Sequence, residues 1–493
     1  MPTADALLHS DFATLPDLIA AHARERGAKP ALIHSDDSLD YAGLSRAMDR
    51  FAAALQQRGV AQRAAVAIVG PMSTAYAVVF LGALRAGCVP TPIAPSSTAD
   101  QIAAMIADCG AALVFDEAAL ADLDAFLAPE GAVPAPVAIA PSDPFNIIYS
   151  SGTTGTPKGI VQSHAMRWAH ISRTEALGFA DAVTMVATPL YSNTTLVSFL
   201  PTLGWGGTCV LLGKFDAATF LAKAARHRAT HAMLVPIQYS RIMAAPDFDA
   251  HDLSAFRVKT CTSAPFSAAL KADVLARWPG LLIEYYGMTE GGGTCILIAN
   301  QHPDKLHTVG RPAEGCDIRL IDDDGREVPP GEMGEVVGRS GAMMSGYHGR
   351  GAATREAEWF DADGNRYIRH GDVGRFDAEG FLTLLDRKKD VIISGGFNIY
   401  PSDLEAVLGD HPSVADATVV GVPSEAWGET PVAFYVPVPG AEVEPQAILD
   451  WVNARVGRTQ RLSGIELVAE LPRSAIGKVL KRELRDRWQV ARA

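Results

Sequence analysis

One ten-residue stretch concentrates the residue types that hold a polyphosphate: Ser150-Ser151-Gly152-Thr153-Thr154-Gly155-Thr156-Pro157-Lys158-Gly159. Its glycines let backbone N–H groups come close to an anion. Its hydroxyls add donors, and Lys158 adds a positive charge. It is not a Walker A loop, which ends in Gly-Lys-Ser/Thr; here Pro157 precedes the lysine and Gly159 follows it. Farther on, Tyr285-Tyr286-Gly287-Met288-Thr289-Glu290 places an aromatic ring, the tight glycine Gly287 and two oxygen-bearing side chains in a row after an apolar run. That set would serve a nucleotide and its metal, because magnesium takes one or two carboxylates and leaves its other positions to phosphate and water. Standing alone, the hexapeptide would read as a turn at a strand end. Gly395-Gly396, after Val391-Ile392-Ile393-Ser394, allows backbone to lie against a thin ligand, and equally suits a bulge or tight turn.

These stations, in this order, resemble the adenylate-forming superfamily: acyl- and aryl-CoA synthetases, adenylation domains of peptide synthetases and firefly-type luciferases. Ser-Ser-Gly-Thr-Thr-Gly-x-Pro-Lys-Gly matches that superfamily's phosphate loop. The resemblance implies that Ser151, Gly152, Thr153, Thr154, Gly155 and Lys158 hold phosphate, and that Tyr286 stacks on adenine. It also implies that Thr289 contacts phosphate and that Glu290 helps hold Mg²⁺. Gly371-Asp372-Val373-Gly374 resembles the ribose site, with Arg387 of Leu385-Asp386-Arg387-Lys388-Lys389-Asp390 reaching the same sugar. Pro472-Arg473-Ser474-Ala475-Ile476-Gly477-Lys478 resembles the C-terminal signature whose lysine, Lys478, bridges the substrate carboxylate and the α-phosphate. Lys481 and Arg482 beyond it read as surface residues of a basic helix. The Gly395-Gly396 strand is implied to line the pantetheine tunnel after a rotation about the hinge residue Lys389. The match runs from about residue 15 to residue 488.

Several positions depart from the family pattern. Ser192 and Asn193 occupy the stretch where many relatives carry an aromatic–histidine pair. Thr262-Ser263 stands where two glycines are usual, His370 where Thr or Ser is common, and Phe397 where Glu is frequent. No catalytic group is lost by these changes. The residues expected around the acid are Tyr191, Asn193, Val235, Tyr239, Ser263, Met288 and Gly291 to Gly293. An aromatic or medium-chain acid is expected; the three glycines would leave room for a ring, or simply form a loop.

Apolar runs of strand length alternate with Ala-rich amphipathic stretches through most of the chain. Val66 to Val69 precedes a helix over Thr74 to Arg85, and Ala112 to Phe115 is a further strand. Cys209 to Leu212, the helix Asp216 to Arg228, Met233 to Val235, the helix Ser267 to Trp278 and Leu281 to Tyr286 continue the pattern. Such alternation predicts an α/β fold with largely parallel sheets. Leu127 to Pro141, rich in Ala and Pro, reads as a surface connection. After about residue 310, turn signals at Asp322-Asp323-Asp324-Gly325 and Pro329-Pro330-Gly331-Glu332 predict a small antiparallel β subdomain. The last hundred residues read as a small mobile α+β domain. In it, Ser402 and Glu405 form a capping-box pattern, Thr418 to Val422 and Val432 to Val436 are strands, and Val479 to Trp488 is a charged helix. The domains expected are residues 1–386 and 387–493.

Length sets the same scale: 493 residues exceed a single core. Lys+Arg 43 against Asp+Glu 56 leaves a net charge of −13, which argues against general nucleic-acid binding. The six cysteines show no Cys-x-x-Cys pair, fitting a reducing, cytoplasmic compartment. No signal peptide, peroxisomal ending or integral membrane association is expected. The reading is an ATP-dependent carboxylate–CoA ligase working through an acyl-adenylate, with ATP, Mg²⁺ and coenzyme A as partners of a small carboxylic acid. Its rivals are an adenylating module that loads a separate carrier protein, and a non-catalytic nucleotide-binding relic. Self-association into a homo-oligomer is left open.

Overall fold

The structure, a computed structural model, describes residues 1–35, 37–149, 157–441, 444–474 and 477–490. The chain divides into two compact units, Met1–Asp317 with Gly338–Ile368, and Ile318–Val337 with Arg369–Ala493. The first unit therefore includes a segment that returns after the small β hairpin of the second. Among the described residues no helix is long and apolar enough to cross a membrane.

Strand–helix alternation produces the expected α/β architecture in the first unit. Its nine-stranded sheet runs, in spatial order, from Arg311–Pro312 through Thr294–Ile298, Leu281–Gly287, Val258–Cys261, His231–Leu234, Val183–Val186, Thr208–Leu211 and Pro30–His34 to Asp37–Asp40. The middle pairings are parallel and the outer ones antiparallel. Central strands bury both faces, which is why Thr208–Leu211 and Val258–Cys261 are buried at every position. A second parallel sheet sets Ala65–Val69 between Val89–Ile93 and Leu113–Phe115. The helix Thr74–Arg85 is buried at ten positions and starts at Ser73, whose hydroxyl accepts from the Tyr76 N–H. Asp216 and Ser267 cap the helices Ala217–Arg226 and Ala268–Arg277 in the same way. No helix or strand occupies 127–141, as its composition suggests.

In the second unit, the latter part of Arg366–Phe376 pairs antiparallel with Leu382–Arg387. The C-terminal part has a five-stranded sheet in the order Phe397–Ile399, Ile392–Ser394, Gly428–Pro437, Val414–Ser424, with Gly464–Leu467 parallel to Gly428–Pro437. Its alternation sorts side chains to two faces. Val419, Ala433 and Tyr435 join Leu404, Leu408, Ile448 and Val452 on one side. Val420, Val432 and Phe434 join Leu484 and Trp488 on the other.

Two local expectations fail here. The helix Pro401–Gly409 has Tyr400 at its N-cap position, with no side-chain cap bond, so Ser402 and Glu405 form no capping box. Pro401 already supplies helical φ at the first position. The Glu405 carboxylate instead accepts from the Thr418 hydroxyl at 2.8 Å and the Val419 N–H at 2.9 Å. Lys481 is not a free surface residue either: its ammonium pairs with Glu405 at 3.0 Å. Burial disfavours that charge, but Glu405 and Asp386 outweigh it and raise its pKa.

Candidate active site

Residues Ser151, Gly152, Thr153, Thr154 and Gly155 lie outside the described residues. Their flanks form an antiparallel pair, Pro144–Tyr149 with Gly159–Ser163, in which Tyr149 faces Gly159 and the register shifts between Pro144 and Asn146. Gly346–Tyr347 adds a third strand, with Tyr347 opposite Ile160. That register sets the Tyr347 ring beneath Lys158, whose Nζ lies 4.9 Å from the ring centroid. From the other end of the ring, the Tyr347 hydroxyl donates to Glu290 Oε1 at 2.9 Å. Burial and the neighbouring carboxylate push the Tyr347 pKa up, so the hydroxyl remains a donor.

The Thr289-Glu290 segment follows the strand Leu281–Gly287 and is held at three atoms. Gln162 Nε2 donates to the Thr289 carbonyl at 2.7 Å, and the Met344 N–H donates to the Glu290 carbonyl at 2.8 Å. Tyr347 supplies the third contact, at the carboxylate. One Glu290 oxygen is thus oriented by a hydroxyl, and the carboxylate is of the type that could ligate a cation. This fits magnesium, for which phosphate and water supply the rest of the shell. Among the described residues no group of three or more His, Cys, Asp or Glu side chains forms a metal cluster. Tyr286 is buried opposite Cys295 in the strand pair, and Gly287 beyond it is exposed.

The residues expected around the acid divide. Asn193 opens the helix Asn193–Gly204, and its Oδ1 lies 3.5 Å from Gln162 Nε2. Ser263 has φ +83°, a left-handed backbone that L residues rarely adopt. It stands where glycine would be free to take that conformation, and its hydroxyl is 2.5 Å from that of Thr194. Tyr191 is half-buried. Val235 and Tyr239, by contrast, are core: Tyr239 is fully buried, its hydroxyl donates to the Thr260 carbonyl at 3.0 Å, and its ring stacks on Phe266. Met288 packs beside Ile160 and Met344. At Gly291 a Cβ would sit 2.0 Å from the Ala342 carbonyl oxygen, so at that position the missing side chain permits close backbone approach.

In the second unit, Asp372 faces Arg387 across the strand pair, and Asp372 Oδ1 meets Arg387 Nε at 2.8 Å. The guanidinium thereby orients the Asp372 carboxylate. Lys388–Asp390 forms a single 3-10 turn around Lys389. Lys388 reaches Asp323 at 2.9 Å and Glu335 at 3.0 Å, while Asp390 reaches Arg485 at 2.7 Å. Lys478 follows Gly477, at φ +78°, and its carbonyl accepts from the Ser474 N–H at 2.8 Å. Arg473 donates to the Gly477 carbonyl at 2.8 Å and pairs with Asp416 at 2.6 Å. Gly395 and Gly396 both have positive φ and join Ile392–Ser394 to Phe397–Ile399.

Comparison with known proteins accounts for both units. A family model for AMP-binding enzyme matches residues 19–348, and one for AMP-binding enzyme C-terminal domain matches 403–478. A feruloyl-CoA synthase of an Amycolatopsis species is 34% identical over 93% of this chain and 96% of its own length. An indoleacetate–CoA ligase of Aromatoleum aromaticum is 33% identical over 96% of this chain and 97% of its own. Among solved structures, o-succinylbenzoate CoA synthetase of Bacillus subtilis with its acyl-adenylate intermediate has a TM-score of 0.85 at 25% identity, covering 96% of this chain and 98% of that one. The chain belongs to the AMP-binding enzyme family. It is an AMP-forming acid–thiol ligase: ATP activates a carboxylic acid as its adenylate, and coenzyme A takes the acyl group.

As an AMP-binding enzyme it also carries contacts that motif reading does not reach. Tyr347 joins Lys158 to Glu290, although 189 and 57 residues separate it from them in the chain, as the numbering shows. Gln162 was visible only as a polar residue in an apolar strand, and Arg167 only as a charge between Met166 and Trp168. That last misfit was the available signal, since a charge on an apolar helix face needs buried partners.

Proposed function

We propose that this ligase activates an aromatic acid, with Mg·ATP held between the phosphate loop and Glu290. The observation that carries the site assignment is the Lys158–Tyr347–Glu290 arrangement, which links a cation and a carboxylate of the two strongest motifs through one ring. Lys158 then neutralises phosphate charge, and Thr289 donates its hydroxyl. Glu290 would hold magnesium, whose charge would offset that of the phosphates. Tyr286 supports the adenine, and Asp372 with Arg387 holds the ribose. Lys478 stabilises the charge that builds on the bridging oxygen as the carboxylate oxygen bonds to the α-phosphorus and pyrophosphate leaves. In the second step the coenzyme A sulfur bonds to the acyl carbon and AMP leaves with the electron pair of the broken C–O bond.

Residues 387–493 turn about Lys389 between the steps, so that Lys478 serves the first and the Gly395-Gly396 strand the second. Exposed Phe397 and Trp427 near those glycines support this reading, as apolar surface suited to a thin pantetheine arm. Thin cysteine usage supports a cytoplasmic setting. The aromatic preference rests on the substrates named for the feruloyl and indoleacetate relatives. AMP release with ATP, Mg²⁺ and coenzyme A, measured over cinnamate, ferulate, phenylacetate, indoleacetate and octanoate, tests it. At least one aryl acid should exceed octanoate in kcat/KM by about tenfold or more, the scale of a well-filled pocket. Octanoate as the best substrate would overturn the aromatic assignment.

A further inference from the structure

Arg167 is 1% exposed, on the helix His164–Ser172, and its guanidinium meets only neutral acceptors among its described contacts. Nε donates to Asn146 Oδ1 at 3.0 Å, one terminal nitrogen donates to Gln162 Oε1, and the other lies 3.4 Å from His170 Nδ1. A buried cation satisfied by amides rather than a carboxylate is costly. Burial lowers its pKa to about 9. The same burial, with Arg167 and Arg173 nearby, lowers the His170 pKa to about 3, leaving its ring neutral and able to accept.

The arrangement has a direction. Guanidinium nitrogens only donate, whereas an amide side chain has one donor end and one acceptor end. Arg167 therefore fixes Asn146 with its oxygen toward the guanidinium, so Asn146 Nδ2 must donate onward, which it does to Gln162 Oε1 at 3.0 Å. Gln162 then has its oxygen taken twice, and its Nε2 must point the other way. There it meets the Thr289 carbonyl at 2.7 Å. Asn146 and Gln162 are both fully buried, so neither can turn its amide toward water instead.

We propose that Arg167, acting through Asn146 and Gln162, is a positioning residue for the Thr289-Glu290 turn that receives Mg·ATP. It touches no substrate; it prevents the Gln162 amide from flipping, and the Gln162 N–H fixes the carbonyl between the two ligand side chains. The inference rests on the assignment of Thr289 and Glu290 to Mg·ATP, and the test separates the two.

The full chain is titrated with Mg²⁺ plus the α,β-methylene analogue of ATP, and separately with AMP; neither requires the acid substrate. Gln162→Glu keeps a partner for Arg167, now as an ion pair, but cannot donate to the Thr289 carbonyl. It should weaken the Mg-analogue complex about tenfold or more, the range for a lost buried hydrogen bond. AMP affinity should stay within about threefold, with Tm close to wild type. Arg167→Met should give the same pattern more weakly, and Arg167→Lys, which still only donates, should recover most of it. Glu290→Ala is the reference. Wild-type binding of the analogue by Glu290→Ala would remove the Mg·ATP assignment itself. A large effect of Glu290→Ala with none in Gln162→Glu would overturn this inference alone. Equal loss for the analogue and AMP, or failure of both Gln162→Glu and Arg167→Met to fold, would make the network structural and overturn it as well.

Discussion

The two compact units hold their functional side chains by different physics. In the first, Thr289 and Glu290 are held by uncharged donors: the buried Gln162 amide, the Met344 N–H and the half-buried Tyr347 hydroxyl. In the second, the candidate groups are held by ion pairs in which at least one side chain is partly exposed, Arg387 with Asp372, Lys388 with Asp323 and Glu335, and Arg473 with Asp416. Exposed ion pairs are screened by salt and contribute little to stability. The contrast teaches that the first unit leans on directional bonds from neutral groups and the second on charge pairs that are more readily exchanged.

The largest effect should come from Lys478, proposed above to serve the adenylation step. Lys478→Ala should slow ATP–pyrophosphate exchange by about 10²–10³-fold, the scale of one lost transition-state donor. Thioester formation from supplied acyl-AMP should change far less. Equal losses in the two half-reactions would place Lys478 outside the adenylation step.

Breaking the proposed exchange itself comes next. The 3-10 turn Lys388–Asp390 lies between ion pairs that tie Lys388 to Asp323 and Glu335 on one side and Asp390 to Arg485 on the other. Proline at the intervening residue fixes φ near −65° and removes an N–H. Lys389→Pro should leave single-turnover pyrophosphate release near normal while severely slowing thioester formation; Lys389→Ala should be mild. A wild-type thioester rate in Lys389→Pro would show that no rotation about this residue is needed.

The smallest effect sharpens the contrast through pH. His164 and His231, both in the first unit, have pKa values lowered to about 4, chiefly by burial. Unfolded, each titrates near 6.5, so between 6.5 and 4 the unfolded chain binds more protons than the folded one. Their contribution is present above 6.5 and is lost as pH falls through that window, by up to about 3 kcal/mol each. In the second unit, burial raises the pKa of Asp386 and of Asp403. A raised carboxyl has the opposite sign: the folded state binds more protons, and stability is regained as pH falls toward the unfolded value. Thermal unfolding followed at pH 7 and pH 5 should show the transition of the first unit moving down by several degrees, with that of the second holding or rising. A parallel fall of both would dissolve the distinction.

The family and the fold class were legible from residue order. The strings around Lys158, Glu290, Asp372, Arg387 and Lys478 carry the resemblance, and the family models that match the chain are those of that family. Strand–helix alternation likewise announces an α/β unit, because the periods 2 and 3.6 are local properties of the chain. Helix caps such as Ser73, Asp216 and Ser267 follow the same local rule. The capping box at Ser402 failed because a residue distant in sequence competed for its glutamate: Glu405 went to Thr418, Val419 and Lys481.

What residue order left open is whatever depends on which distant segments meet. Tyr239 satisfies the composition of a pocket wall, yet packing on Phe266 and Trp278 makes it core. That Gly291 is needed for the close approach of the Ala342 carbonyl is visible only once the two segments meet. Tyr347 gains its place between Lys158 and Glu290 only through its register with Ile160. The orientation of the Gln162 amide is decided by a guanidinium five residues away on the next helix. Side-chain type sets what a residue can donate, accept or bury; only the packed chain decides which partner is within 3 Å. That is why the chemistry could be read along the chain, and its support could not.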